Sequence, residues 1–123
     1  MKFSIVLPTF NREHFIDFAI KSVITQTYKD WELIIIDDGS TDETKDVIEK
    51  FIKKDNRIRY IYQKNKERSA ARNNGIKKAK GDWICFLDSD DIYHKNHLEE
   101  FKQLIEKTNK KEALYISGVS YGE

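Results

Sequence analysis

Short apolar runs alternate along this chain with segments of helical periodicity, and few folds accept that pattern. Residues 3–7, 31–36, 57–63, 83–87 and 113–120 are rich in branched and aromatic side chains and short enough to read as strands. Between them, apolar residues recur three and four apart. One helical stripe is Phe15, Ile16, Ala19, Ile20, Val23 and Ile24; a second is Val47, Ile48, Phe51 and Ile52; a last is Leu98, Phe101, Leu104 and Ile105. A further helix is predicted over 69–80, stopped by Gly81. Pro8 is expected to end the first strand, and Ser40 with Glu43 has the spacing of a capping box that opens the second helix. Strands alternating with helices imply βαβ units, hence an α/β fold: three layers, α/β/α, around a mainly parallel central sheet.

The chain of 123 residues fits one domain with room for a core. Its 39% hydrophobic and 35% charged residues exclude a disordered chain. A net charge of +1 provides no basic field for nucleic acid, so none is expected as a partner. Lys64, Lys66, Arg68, Lys77, Lys78 and Lys80 crowd one stretch and read as a solvated helix face. The single cysteine, Cys85, sits in an apolar run and reads as a buried hydrophobe in a reducing compartment. The N-terminal apolar run is too short for a signal peptide, and no segment has the apolar length of a membrane span. The expected location is cytoplasmic.

In open α/β sheets, ligands bind outside the carboxyl ends of the strands. The unusual residues of this chain fall there: Pro8-Thr9-Phe10-Asn11-Arg12 after the first strand, Asp37-Asp38 after the second, and Asp88-Ser89-Asp90-Asp91 after the fourth. In extended chain, Asp88 and Asp90 would point to one side and repel each other unless a cation joined them. Carboxylates with no His or Cys nearby suit Mg²⁺ or Mn²⁺, which takes few protein ligands and fills its shell with water and substrate phosphates. The competing reading makes Asp90 or Asp91 the cap of a helix starting near Lys95 or His97. Asp37 and Asp38 are more than the turn at Gly39 needs, and one can accept from a base or a ribose hydroxyl. Arg72, among the small residues Ser69, Ala70, Ala71 and Gly75, suits phosphate; the competing reading is a surface charge. His94 and His97 read as exposed residues at a helix start, and Trp31, Trp83, Tyr60 and Tyr62 as packing.

Five ordered stretches resemble the nucleotide-binding half of family 2 glycosyltransferases with the GT-A fold. They are Ser4-Ile5-Val6-Leu7-Pro8-Thr9-Phe10-Asn11-Arg12, Ser22-Val23-Ile24-Thr25-Gln26-Thr27, the run from Trp31 through Asp37-Asp38-Gly39-Ser40-Thr41-Asp42, Ala71-Arg72-Asn73-Asn74-Gly75, and Phe86-Leu87-Asp88-Ser89-Asp90-Asp91. The resemblance implies a Rossmann-like GT-A sheet and an inverting transfer of a sugar from a metal-bound nucleotide diphosphate, a UDP-sugar, to an acceptor hydroxyl, as in cell-surface polysaccharide synthesis. Pro8, Thr9, Asn11 and Arg12 would line the nucleotide pocket. Asp38 would contact the base, Arg72 the base or phosphate, and Asp88 the ribose and metal, with Asp90 as main ligand of Mn²⁺ or Mg²⁺. The acceptor would be a carbohydrate or a lipid-linked sugar, with peripheral membrane association through other regions.

The general base of such a transfer belongs to a later, acceptor-binding half, so it is expected beyond Glu123. None of Asp91, Glu99 or Glu100 matches its position. Residues 1–123 are therefore expected to be one nucleotide-sugar-binding domain, the N-terminal part of a longer glycosyltransferase. The alternative is a nucleotide-sugar-binding module without turnover. A phospho-acceptor receiver domain has similar size but needs its aspartate pair after the first strand, where this chain has Pro8-Thr9. A nucleotidyltransferase would carry a glycine-rich loop there, and this loop has no glycine.

Overall fold

The computed structural model describes residues 1–108, except the side chain of Arg68. The fifth strand expected over 113–120 lies outside the described residues, as does Glu123, beyond which the general base is expected. The elements are β1 (Phe3–Thr9), α1 (Ile16–Ile24), β2 (Trp31–Asp38), α2 (Thr44–Ile52), β3 (Ile58–Gln63), α3 (Arg68–Lys78), β4 (Trp83–Phe86) and α4 (His97–Thr108). The four strands form one sheet in the order β3-β2-β1-β4, and every pairing is parallel. Both central strands are buried along their whole length, which is why they read as unbroken apolar runs.

Alternation along the strands sorts the two faces. Phe3, Ile5 and Leu7 of β1, with Leu33 and Ile35 of β2, meet Ile16, Ile20 and Val23 of α1, Ile48 of α2 and Leu98 and Phe101 of α4. Ile34 and Ile36 turn to the other face, where Ala71 of α3 covers them. The expected three layers are therefore present. Helix α3 comes close because it is small there: a Cβ on Gly75 would lie 2.4 Å from Cγ1 of Val6.

Three local expectations fail for identifiable reasons. Pro8 does not end β1; it pairs with Ile36 inside the ladder. The carbonyl of Val6 accepts from the N–H of Leu87 at 3.0 Å, so Val6, and Pro8 two residues on, face β4. The last β1–β4 pair is Val6 with Phe86, so the N–H that proline lacks would have met no strand. The capping box is also absent. Helix α2 opens at Thr44, whose N–H donates to Oδ1 of Asp42 at 2.9 Å, while Oγ of Ser40 accepts from the N–H of Asn11 at 2.8 Å. Phe15 precedes α1 and is 53% exposed, outside the buried stripe.

At the amino ends of the strands, buried Glu32 ties α3 to the sheet. Its Oε2 accepts from the Ser4 hydroxyl and from the N–H of Lys80, each at 2.6 Å, and Oε1 from Arg59 at 3.5 Å. Burial pushes its pKa up, but the bonds from Ser4 and Lys80 and the charges of Lys2 and Arg59 outweigh it and hold the carboxyl below the ordinary glutamate range. A carboxyl depressed on folding stabilises fully above its unfolded pKa, and that stability is lost as pH falls through the folded value. Denaturant unfolding of the wild type should therefore lose stability in mild acid, and Glu32→Gln should flatten that slope; identical slopes would remove Glu32 from this role. Among the described residues, no helix is long and apolar enough to cross a membrane.

Candidate functional site

A cleft of about 260 Å³ opens at the carboxyl edge of the sheet. It is lined by Pro8, Thr9, Phe10 and Arg12 after β1, Asp38 ending β2, Asn65 and Glu67 between β3 and α3, Ala71 of α3, and Ser89 after β4. Every lining residue comes from the strand ends that open α/β sheets use for ligands, or from the first turns that follow. The hydroxyl of Thr9 is buried there and has no hydrogen-bond partner among the described residues. An unmet buried polar atom carries a cost that a ligand can remove.

The first two loops lock together. The N–H of Asn11 donates to Oγ of Ser40, and the N–H of Thr41 donates back to Oδ1 of Asn11, both at 2.8 Å. The N–H of Arg12 donates to Oγ1 of Thr44 at 2.9 Å. Asn11 has a φ of 50°, a left-handed conformation that asparagine tolerates better than most side chains. Its side chain is engaged with Thr41, and Asn11 is not among the cleft-lining residues.

The two aspartates ending β2 have separate surroundings. Asp37 is fully buried and accepts from the Tyr60 hydroxyl at 2.6 Å and the N–H of Ser40 at 2.9 Å. Asp38 faces the cleft at 6% exposure. Burial pushes its pKa up, but hydrogen bonds from Gln63 and from the N–H groups of Lys66 and Glu67 prevail, so the carboxyl lies below the ordinary aspartate range. It is an anion well inside the neutral range.

Beyond β4 the chain turns rather than staying extended. The strand stops at Phe86, and the N–H of Asp91 closes back on the carbonyl of Asp88 at 3.1 Å. The extended spacing expected for Asp88 and Asp90 is thus replaced by a tight turn. The turn leaves Asp90 exposed and sets Ser89 into the cleft. Asp88 pairs with Nη2 of Arg72 at 3.3 Å, while Nε of Arg72 is buried without a partner among the described residues. The segment after the turn is pinned by α1 and its C-terminal end. Tyr93 N–H donates to Oγ of Ser22 at 3.1 Å, and the Gln26 amide donates to the carbonyl of His94 at 2.7 Å and accepts from Leu98 N–H at 3.0 Å. His97, expected on the surface, is instead buried and stacked on Tyr93, with ring centroids 4.1 Å apart.

The sheet therefore gathers Pro8, Thr9, Arg12 and Asp38 directly around the cleft. Arg72 and Asp88 are joined to each other one residue away from lining positions, at Ala71 and Ser89. Asn65 and Glu67 carry no sequence signal of a place in the cleft, and Phe10 lies within the Pro8–Arg12 stretch, which assigns it no role of its own. Phe10 had a usable signal: a large aromatic directly after a buried strand, here 41% exposed.

Known proteins resemble this chain in sequence and in fold. A family model described as glycosyl transferase family 2 matches residues 4–121. An uncharacterized glycosyltransferase of Rickettsia conorii is 46% identical over 108 residues, which are 88% of this chain and 18% of that protein. A Campylobacter jejuni enzyme named GalNAc(5)-diNAcBac-PP-undecaprenol beta-1,3-glucosyltransferase is 42% identical over 92 residues, 73% of this chain and 30% of that one. The crystal structure of Staphylococcus aureus TarS 1–349 in complex with UDP-GlcNAc superposes with a TM-score of 0.76 at 30% identity, covering 89% of this chain and 32% of that one. The chain thus spans a third or less of these relatives, and over that span it belongs to glycosyl transferase family 2.

Proposed function

We propose that this domain binds the nucleotide of a UDP-sugar donor in the β1–β2–β4 cleft and serves an inverting transfer of the sugar to an acceptor hydroxyl in cell-surface polysaccharide synthesis. The observation that carries the reading is the unpartnered, buried hydroxyl of Thr9 inside a strand-end cleft that also holds an anionic Asp38 and a cationic Arg12. A nucleotide complements all three: hydrogen-bonding groups for Thr9, a base N–H for Asp38, phosphate for arginine. Phe10 offers an exposed ring against which a base can stack.

The aspartates after β4 fit a divalent ion in donor chemistry. Asp88 and Asp90 offer two hard oxygen ligands. Such a sparse set suits an ion that arrives with its diphosphate, held by Asp90 with Asp88. When bound, Mg²⁺ or Mn²⁺ supplies a Lewis acid that takes up charge on the departing diphosphate. Arg72 balances the carboxylate of Asp88 at 3.3 Å and brings a second cationic group to the same edge.

The base that takes the acceptor's proton lies beyond Glu123 in this reading. The acceptor is a carbohydrate or lipid-linked sugar and the setting cytoplasmic. A nucleotide-sugar-binding module without turnover is the alternative.

Calorimetry tests the site. UDP should bind the chain more tightly in Mn²⁺ than in chelator, and Asp90→Ala should abolish that difference while leaving the fold and chelator-state binding intact. Equal affinity in both conditions for the wild type would overturn the metal assignment; an unchanged Mn²⁺ response in Asp90→Ala would leave Asp90 as a turn residue only.

A further inference from the structure

Before any ligand arrives, the carboxylate of Asp38 is already engaged. Its Oδ1 accepts from the Gln63 side-chain amide at 2.9 Å and from the N–H of Lys66 at 2.7 Å, and its Oδ2 accepts from the N–H of Glu67 at 2.9 Å. The N–H bonds reach across to a loop 28 and 29 residues away in sequence. That loop supplies Asn65 and Glu67 to the cleft.

The loop is also held under strain. Glu67 has a φ of 113°, a region that side chains with a Cβ rarely adopt and that persists only where surroundings over-determine it. Gly39, at a φ of 87°, allows the approach from the other side: a Cβ there would lie 2.9 Å from the backbone nitrogen of Asn65. The third wall of the cleft therefore depends on one carboxylate being aimed correctly.

What aims it is a directional chain. A carboxylate accepts only, so Gln63 must present its NH₂ to Asp38, leaving Oε1 free to accept. Asn74 Nδ2 of α3 fills that role, donating to Gln63 Oε1 at 3.0 Å. The chain runs from α3 through the end of β3 to the end of β2. It fixes the rotamer of Asp38 and leaves each oxygen with a defined partner set.

We propose that Gln63 and Asn74 are positioning residues for nucleotide recognition: they orient Asp38 and, through it, hold the Asn65–Glu67 wall in the shape that receives the base. This rests on the nucleotide reading above. The Gln63 amide is spent on Asp38 and the Asn74 amide on Gln63, so each acts through Asp38 rather than on the ligand.

Two measurements on the 123-residue chain test this. The first is amide hydrogen exchange at Lys66 and Glu67 without ligand. Gln63→Leu should speed exchange at both amides while the strands keep their protection, and Asn74→Ala, milder and the fallback if Gln63→Leu does not fold, should shift them the same way. The second is UDP affinity in a double-mutant cycle. Gln63→Leu should weaken UDP about tenfold, the loss of one hydrogen bond to a charged group, yet cost nothing further in an Asp38→Ala background. Unchanged exchange at Lys66 and Glu67, or losses that add in the double mutant, would overturn the positioning role while leaving the nucleotide site standing. No UDP binding by the wild type would sink the nucleotide reading itself, and the recognition role with it, whatever the exchange shows.

Discussion

Arg72→Ala is expected to weaken UDP binding by roughly ten- to a hundredfold without unfolding the chain. A hydrogen bond to a charged group contributes about 1.5–3 kcal/mol, and each 1.4 kcal/mol is about tenfold in affinity. The side chain is 40% exposed, so its loss leaves no large cavity. It also strips Asp88 of its cation, which adds repulsion against a diphosphate. Arg72→Lys should rescue little, since an ammonium cannot serve Asp88 and a phosphate through one planar fork. Calorimetry reads both variants, and wild-type affinity in Arg72→Ala would exclude the arginine from the site.

Gly75→Val should destabilise the chain by about 3 kcal/mol, at the upper end of what overpacking costs. The Cβ alone would stand 2.4 Å from Cγ1 and 3.0 Å from Cγ2 of Val6. Val6 is fully buried in a central strand and, being β-branched, has little rotamer freedom with which to yield. Gly75→Ala sets two effects against each other: alanine gains about 1 kcal/mol of helix propensity, and the clash costs about 1–3 kcal/mol. The clash should win by a small margin. Val6→Ala should then recover part of the loss in the Gly75→Ala background, although it destabilises the wild type. Denaturant midpoints read the cycle; a Gly75→Val chain as stable as wild type would mean that α3 does not lie this close to the sheet.

The strands were legible because each central one is buried on both faces, and burial writes itself as an apolar run. Helix stripes were legible wherever one face meets the sheet, as at Ile16, Ala19, Ile20 and Val23. What failed was local and conditional on neighbours. Pro8 stays in β1 because β4 has already ended beside it, a fact about another strand. Ser40 looked like a cap, but its hydroxyl is taken by the Asn11 N–H from the first loop. His97 looked polar, yet the ring packs on Tyr93. In the cleft, strand-end residues could be named in advance because topology alone brings them together. Asn65 and Glu67 could not, since their placement follows from Asp38 reaching across to the loop's N–H groups. The turn at Ser89–Asp90 did carry a signal, since Asp and Ser favour turns over strands, but the pull of a shared cation favours the extended reading of the same run.

The interlock between the loops after β1 and β2 has a consequence for how such a cleft can change its preferences. With Asn11, Ser40 and Thr41 bonded reciprocally, two sides of the opening are preorganised, and a ligand meeting them gives up little ordering entropy. Altering either loop disturbs both. The segment between β3 and α3 is different: Asp38 holds it through main-chain N–H groups, which any residue except proline supplies. Side chains at 64–66 are thus free to vary without loosening the anchor. Substitutions at 64–66 can therefore reshape that wall of the cleft while the loops after β1 and β2 keep their interlock.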